Sequence, residues 1–129
     1  GLGELVQELQ AKIPMNIRFD MDELMQLNKG VEDQLFRIVQ EALSNILRHS
    51  RASRTDIRLY LDNDVVKLLI RDNGVGFDLN EKKHASYGIE SMRERVNEIG
   101  GSMQIITAPG KGTRLDIRVP LVNDEEEEH

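Results

Sequence analysis

Cysteine is absent from all 129 residues, which removes disulfides and thiol chemistry and leaves no sign of an oxidising compartment. Aromatic residues are scarce, and Phe19, Phe36, Tyr60, Phe77 and Tyr87 are scattered without pattern, so no base-stacking platform runs along the chain. No apolar run approaches membrane-spanning length, and the N-terminus has no signal-peptide pattern. A basic excess is missing as well. The 17 Lys and Arg stand against 23 Asp and Glu, a formal charge of -6, which argues against a nucleic-acid surface as the main role. These absences lead us to expect a cytoplasmic domain without direct membrane contact, any anchor belonging to a longer parent. The chain opens on Gly1 rather than Met, which also fits an excised piece of a longer protein.

With 39% hydrophobic and 31% charged residues, the chain has the composition of one soluble domain with a real core. Leu2, Leu5, Val6, Leu9 and Ile13 recur at helical spacing before Pro14. The segment from Asn16 to Met21 alternates as a half-buried strand does, and Asn28-Lys29-Gly30 reads as a loop. The longest helix is expected from Val31 to about His49, with Leu35, Ile38, Val39, Ala42, Leu43 and Ile46 on one face. Strands follow over Thr55 to Asp62 and Val65 to Ile70, joined by a hairpin at Asp62-Asn63-Asp64. A helix from Ser91 to Ile99 closes at Gly100-Gly101, and two last strands span Met103 to Thr107 and Arg114 to Val119. The order predicts a two-layer α/β sandwich, with about three helices on one face of a mixed, mostly antiparallel sheet of about five strands and a hairpin at each end of the sheet. The acidic end, Asp124-Glu125-Glu126-Glu127-Glu128, reads as a solvated, disordered tail.

Three constellations could carry chemistry. On the long helix, Glu41, Asn45 and His49 fall in one row beside the apolar stripe, with Arg48 adjacent. An Asn carbonyl suits Mg²⁺ that keeps most of its water and also binds phosphate oxygens. Glu41 could polarise an attacking group, and Arg48 and His49 could meet phosphate charge. The same row also describes a plain solvent edge. Second, the apolar strand ends in Asp72-Asn73-Gly74-Val75-Gly76-Phe77. A carboxylate only accepts, so Asp72 could take the exocyclic amine of adenine and would face the oxygen of guanine unfavourably. Asp-Asn-Gly between apolar runs is equally a hairpin turn. Third, Ser86-Tyr87-Gly88 opens a helix whose N-terminus favours phosphate, and the polar stretch from Asp78 to Tyr87, with Lys82, Lys83 and His84, could fold over a nucleotide. An ordinary surface loop accounts for it too. Gly110-Lys111-Gly112-Thr113 reads first as a hairpin turn, and alternatively as a backbone wall with a hydroxyl near Asp72. Neither a Walker sequence nor a Rossmann fingerprint is present.

Taken in order, Glu-x-x-x-Asn on a helix, Asp-x-Gly-x-Gly after a strand, Gly at a helix start and Gly-x-Gly-Thr before a last strand resemble the GHKL ATPase superfamily. That superfamily includes gyrase-type topoisomerases, the ninety-kilodalton heat-shock chaperone, mismatch-repair ATPases and sensor histidine kinases. Within it the chain looks most like histidine kinases that pair with NarL-type response regulators, through Phe36 to Asn45, Asp72 to Phe77 and Gly88 to Val96. The resemblance covers roughly Asn16 to Leu121. It implies a Bergerat-type ATP-binding fold with ATP and Mg²⁺ as ligands. Asn45 would hold Mg²⁺, Glu41 would help activate the attacking group, and Arg48 and His49 would lie near the phosphates. Asp72 would bind adenine. Gly74 and Gly76 would shape the pocket and the start of a lid, Gly88 its far end, and Gly110, Gly112 and Thr113 the base side. The lid is short and no phenylalanine-rich box is apparent, which leaves the γ-phosphate contacts undefined.

None of His49, His84 or His129 sits in a long helix with an acid after it, as a phosphoacceptor would. The resemblance places the acceptor on a preceding dimerisation domain. It divides the chain into a junction helix (1–14), an ATP-binding catalytic domain (15–121) and an acidic tail (122–129). Competing readings are another GHKL ATPase, a serine kinase of an anti-sigma pathway, a degenerate ATP-sensing module without chemistry, and an unrelated α/β domain.

Overall fold

A computed structural model of the chain describes residues 2–22, 27–78, 80 and 88–121. The elements are α1 (Leu2–Lys12), β1 (Asn16–Met21), α2 (Lys29–Asn45), β2 (Arg54–Asp62), β3 (Val65–Asp72), α3 (Ile89–Glu98), β4 (Ser102–Thr107) and β5 (Thr113–Pro120). They form a five-stranded sheet in the order β1-β2-β3-β5-β4, with β1 parallel to β2 and every other pairing antiparallel. This is the expected α/β sandwich. One detail differs: hairpins do not bound both ends. The β4–β5 hairpin forms one edge, but β1 adds outside β2, with α2 as the crossover that a parallel pair requires.

Period-two alternation decides which face is buried. Ile57 and Leu59 of β2, Val66, Leu68 and Ile70 of β3, and Leu115, Ile117 and Val119 of β5 all point to the helices. Arg54, Arg58, Arg71, Arg114 and Arg118 alternate with them on the open face. Against the apolar face lie Leu35, Ile38, Val39, Ala42 and Leu43 of α2, Met92 and Val96 of α3, and Leu2, Leu5 and Val6 of α1. The β2–β3 hairpin turns through Asn63 and Asp64, both at positive φ, a conformation these two short polar side chains tolerate.

Helix α2 departs from its expected limits at both ends. It begins inside the expected loop, because the side-chain oxygen of Asn28 caps it, accepting from the Val31 N–H at 2.8 Å. At its far end the α-helix stops at Asn45 and continues as one π-helical turn, Ile46–Ser50. Ser50 Oγ donates to the Ile46 carbonyl at 2.8 Å and accepts from Ala52 N–H at 3.1 Å, and Arg51 follows at φ 54°. The hydroxyl thereby ties off the widened turn. Single π turns concentrate at functional sites, and this one adjoins Asn45.

Candidate functional site

The buried stripe of α2 fixes its rotation, and Asn45 follows Ala42 by three residues, so its side chain enters the edge of the core and is only 7% exposed. Its Oδ1 accepts a hydrogen bond from Arg48 Nη2 at 3.1 Å. The same guanidinium lies 3.8 Å from Glu41 Oε1, and its Nε donates to the Ser44 carbonyl at 3.4 Å. Both partners of the ion pair are well exposed, so it contributes little to stability. Its consequence is positional, because Arg48 bridges the two polar residues of the row.

Asp72 is the last residue of β3, paired with Thr55 on one side and Thr113 on the other. It is 6% exposed. The Gly74 N–H donates to its Oδ1 at 2.8 Å. Burial pushes the carboxyl above its ordinary range, while hydrogen bonds from the Gly74 and Thr113 backbone pull it back.

Asn45 and Asp72, 27 positions apart in sequence, line one cavity that opens to solvent. Ala42, Ile46, His49 and Ser50 form the α2 side, Ile70, Thr113 and Leu115 the sheet side, Ile89 and Met92 the α3 side, and Gly76 and Phe77 the rim after β3. The walls are largely apolar with a few polar groups among them, as a site for an amphipathic ligand requires.

The expected residues thus divide. Asn45, His49, Asp72, Gly76 and Thr113 line the cavity, whereas Glu41, Arg48, Gly74, Gly88, Gly110 and Gly112 are not in its lining. The second group has other contacts. A Cβ on Gly74 would strike the Ser50 backbone, and the next residue, Val75, donates its N–H to the Ser50 carbonyl at 2.7 Å. Gly88 caps α3 at φ 65°, and a Cβ there would run into the Glu41 carboxylate. Gly110 donates to the Val75 carbonyl at 2.6 Å, which docks the β4–β5 loop on the strand end. Gly112 abuts the Asp72 carbonyl. Most of the expected lid (79 and 81–87) and the tail (122–129) lie outside the described residues. Sequence reasoning missed Ser50, Phe77, Ile89 and Met92 as cavity residues. Their spacing marks them only as core or loop.

Gly76 has the least freedom. Its φ is 65°, and a Cβ would meet the backbone carbonyls of Ala108 and Gly112, neither of which can swing aside. Gly76→Ala is therefore expected to lower stability by more than about 1 kcal/mol and to weaken any ligand held between β3 and the β4–β5 loop. Thermal melting with and without nucleotide checks both effects, and a variant as stable as the parent would contradict the close packing.

Among the described residues no group of three or more His, Asp or Glu side chains gathers as a metal site. The donor set fits a cation in one way: as one bound mainly by phosphate oxygens and water, with Asn45 Oδ1 adding a single protein oxygen.

An α/β sandwich with a half-open, largely apolar cavity lined by a buried amide and a buried carboxylate is the architecture of a small-ligand-binding domain. The chain belongs to the family described as "Histidine kinase-, DNA gyrase B-, and HSP90-like ATPase", which it matches over residues 30–123. It is 46% identical over 129 residues to the sensor histidine kinase LiaS of Bacillus subtilis, covering 100% of this chain and 36% of that protein. It is 43% identical over 126 residues to the sensor protein VraS of Staphylococcus haemolyticus, covering 98% of this chain and 36% of that one. The chain spans about a third of the length of these relatives. Among solved structures, a blue-light activated histidine kinase of Erythrobacter litoralis superposes with a TM-score of 0.82 at 19% identity, covering 96% of this chain and 42% of that one. The histidine kinase AdeS of Acinetobacter baumannii gives 0.72 at 12% identity, covering 95% and 62%. At such identities these two likenesses concern the fold alone. No helix among the described residues is long and apolar enough to cross a membrane.

Proposed function

We propose that this chain is the ATP-binding catalytic domain of a two-component sensor histidine kinase. It would pass the γ-phosphate of ATP to a histidine on a dimerisation domain outside the chain, and thence to a response regulator of the NarL type. The observation that carries the reading is the convergence of Asn45 and Asp72 on one cavity. Similarity to LiaS and VraS supports the kinase class, and the resemblance of Phe36 to Asn45 and Gly88 to Val96 favours the NarL-type partner. Residues 1–14 would be the junction to the dimerisation domain and 122–129 an acidic tail. The chain itself would work in the cytoplasm.

In this reading Asp72 accepts the exocyclic amine of adenine, with Thr113 beside it, while Ile70, Met92 and Leu115 enclose the ring faces. Asn45 and His49 lie toward the phosphates. Mg²⁺, held by Asn45 and the phosphate oxygens, would supply charge neutralisation to the transferring group. Arg48 holds the Asn45 amide oxygen and faces Glu41, so it orients the first and can meet phosphate charge when it swings away. Glu41 is half-exposed at the outer end of the row and is free to face an incoming imidazole. There it would accept the proton from the other ring nitrogen, the N–H that the imidazole gives up as its unprotonated nitrogen attacks. Most of the rate would come from alignment and charge stabilisation, because phosphoryl transfer asks little covalent chemistry of the protein.

The test is nucleotide binding followed by transfer in trans. The domain is expected to bind ATP with a Mg²⁺-dependent gain and to bind GTP much more weakly. It is expected to phosphorylate itself barely at all, and to label a histidine when a dimerisation domain from a full-length relative is added. Rapid ATP hydrolysis without that domain would favour the ATPase alternative. Phosphate on a residue of this chain at comparable rates would contradict the division of labour.

A further inference from the structure

The hydroxyl of Thr107, the last residue of β4, makes three hydrogen bonds. It donates to the Gly112 carbonyl at 3.0 Å and accepts from the Phe77 N–H at 3.1 Å. Its third contact, at 2.9 Å, is with the hydroxyl of Thr113, where distance alone leaves the donor open. Proton counting closes it. A threonine hydroxyl has one proton, and a carbonyl can only accept, so the Thr107 proton belongs to Gly112. Thr113 must then be the donor to Thr107. With its only proton committed, Thr113 offers the cavity lone pairs alone.

We infer that Thr107 is a positioning residue for nucleotide selectivity, which locks the Thr113 hydroxyl as an acceptor beside Asp72 and so makes the base edge of the cavity acceptor-only. The inference rests on the adenine-nucleotide reading above and adds a determinant to it. Asp72 and Thr113 are cross-strand partners at the end of β3 and the start of β5, and both line the cavity. An amine at purine position 6 satisfies two such acceptors. An oxygen at position 6 meets two acceptors and is rejected by both. Were Thr113 free to rotate, it could donate to that oxygen, and rejection would fall to Asp72 alone. Thr107 also ties three pieces together, because Phe77 follows the Asp72 strand and Gly112 precedes Thr113. Its hydroxyl therefore sets both the proton of Thr113 and the place where it points.

The experiment is a double-mutant cycle read as the ratio of ATP to GTP affinity, with folding of each variant checked by far-UV circular dichroism. Thr107→Val is expected to narrow that ratio by about tenfold, the scale of one unsatisfied buried polar contact, chiefly by improving GTP. Thr107→Ser keeps the hydroxyl and is expected to keep the wild-type ratio. In a Thr113→Val background the Thr107 effect should vanish, since its only route to the base runs through that hydroxyl. An unchanged ratio in Thr107→Val, or an effect that persists without Thr113, overturns the inference. Should Thr107→Val not fold, Thr113→Val decides it, because a wild-type ratio there would remove the acceptor and its lock together. A wild-type protein without preference for ATP would instead overturn the adenine reading itself.

Discussion

Asn45→Ala is expected to abolish phosphoryl transfer, by at least about a hundredfold, while leaving the fold as stable as before. The reason lies in where the side chain sits. Asn45 is buried at the last position of α2, and its amide oxygen accepts from the exposed Arg48. Removing the amide returns the already exposed Arg48 guanidinium to water. Alanine is moreover a better helix former than Asn by about 0.5 kcal/mol. A melting temperature within a few degrees of the parent is therefore expected. Function should respond oppositely, because the domain gathers no other cluster of side chains able to hold a divalent cation among its described residues. The Mg²⁺-dependent part of ATP affinity should disappear and the Mg²⁺-independent part survive. Binding isotherms with Mg²⁺ and with a chelator separate the two, and labelling of an added dimerisation domain reads the transfer. Full transfer in this variant would falsify the assignment of the amide to the cation.

The row that contains Asn45 was legible because helical spacing and burial follow from the same stripe of Leu35, Ile38, Val39, Ala42 and Leu43. The π turn after it was not. It rests on Ser50 tying back to Ile46, and a lone serine after a basic pair carries no periodic signal. The strands were legible as elements, since Ile57, Leu59 and Leu61 alternate in one and Val65 to Ile70 is an apolar run in the next. Their order was not. Nothing in Asn16 to Met21 says that β1 joins parallel at an edge, because pairing is decided by which neighbour covers its buried Ile17.

Glycines were legible as positions but not as reasons. Gly74 and Gly88 follow from the motif order, yet the structure has them yielding space to Ser50 and Glu41 rather than lining the cavity. The Asn28 cap was hidden by its neighbours: Lys29 and Gly30 suggest a loop, and only the bond to Val31 shows that a helix starts there. Thr107 left no trace at all. A threonine at a strand end is ordinary, and its meaning appears only when Phe77, Gly112 and Thr113 converge on one oxygen. Sequence motifs thus mark groups that face a ligand. The groups that set their protons and angles come from elsewhere in the chain and need coordinates.

Asp72→Asn should separate binding from folding through pH. Burial raises the carboxyl of Asp72 in the fold above its unfolded value near 3.8. Between those two values the folded chain holds a proton that the unfolded chain has lost. Stability therefore falls as pH rises through that window and is level above it. Nucleotide binding should run the other way, since only the ionised carboxylate is acceptor-only, so ATP affinity rises with pH through the same window. The amide cannot ionise, and both dependences should vanish in the variant. At neutral pH its stability should change little. Losing the buried charge helps, but the amide has one oxygen for two backbone donors, Gly74 and Thr113, and one of them loses its partner. ATP affinity should drop between about tenfold and a hundredfold, the scale of one charge-assisted hydrogen bond. GTP affinity should hold or improve, because the amide nitrogen can donate to the oxygen at position 6. Titrating both nucleotides from just below the 3.8 of the unfolded group up to neutrality, beside thermal melts in the same buffers, reads all four trends together. An ATP affinity equally pH-dependent in parent and variant would show that the base is held by some other group.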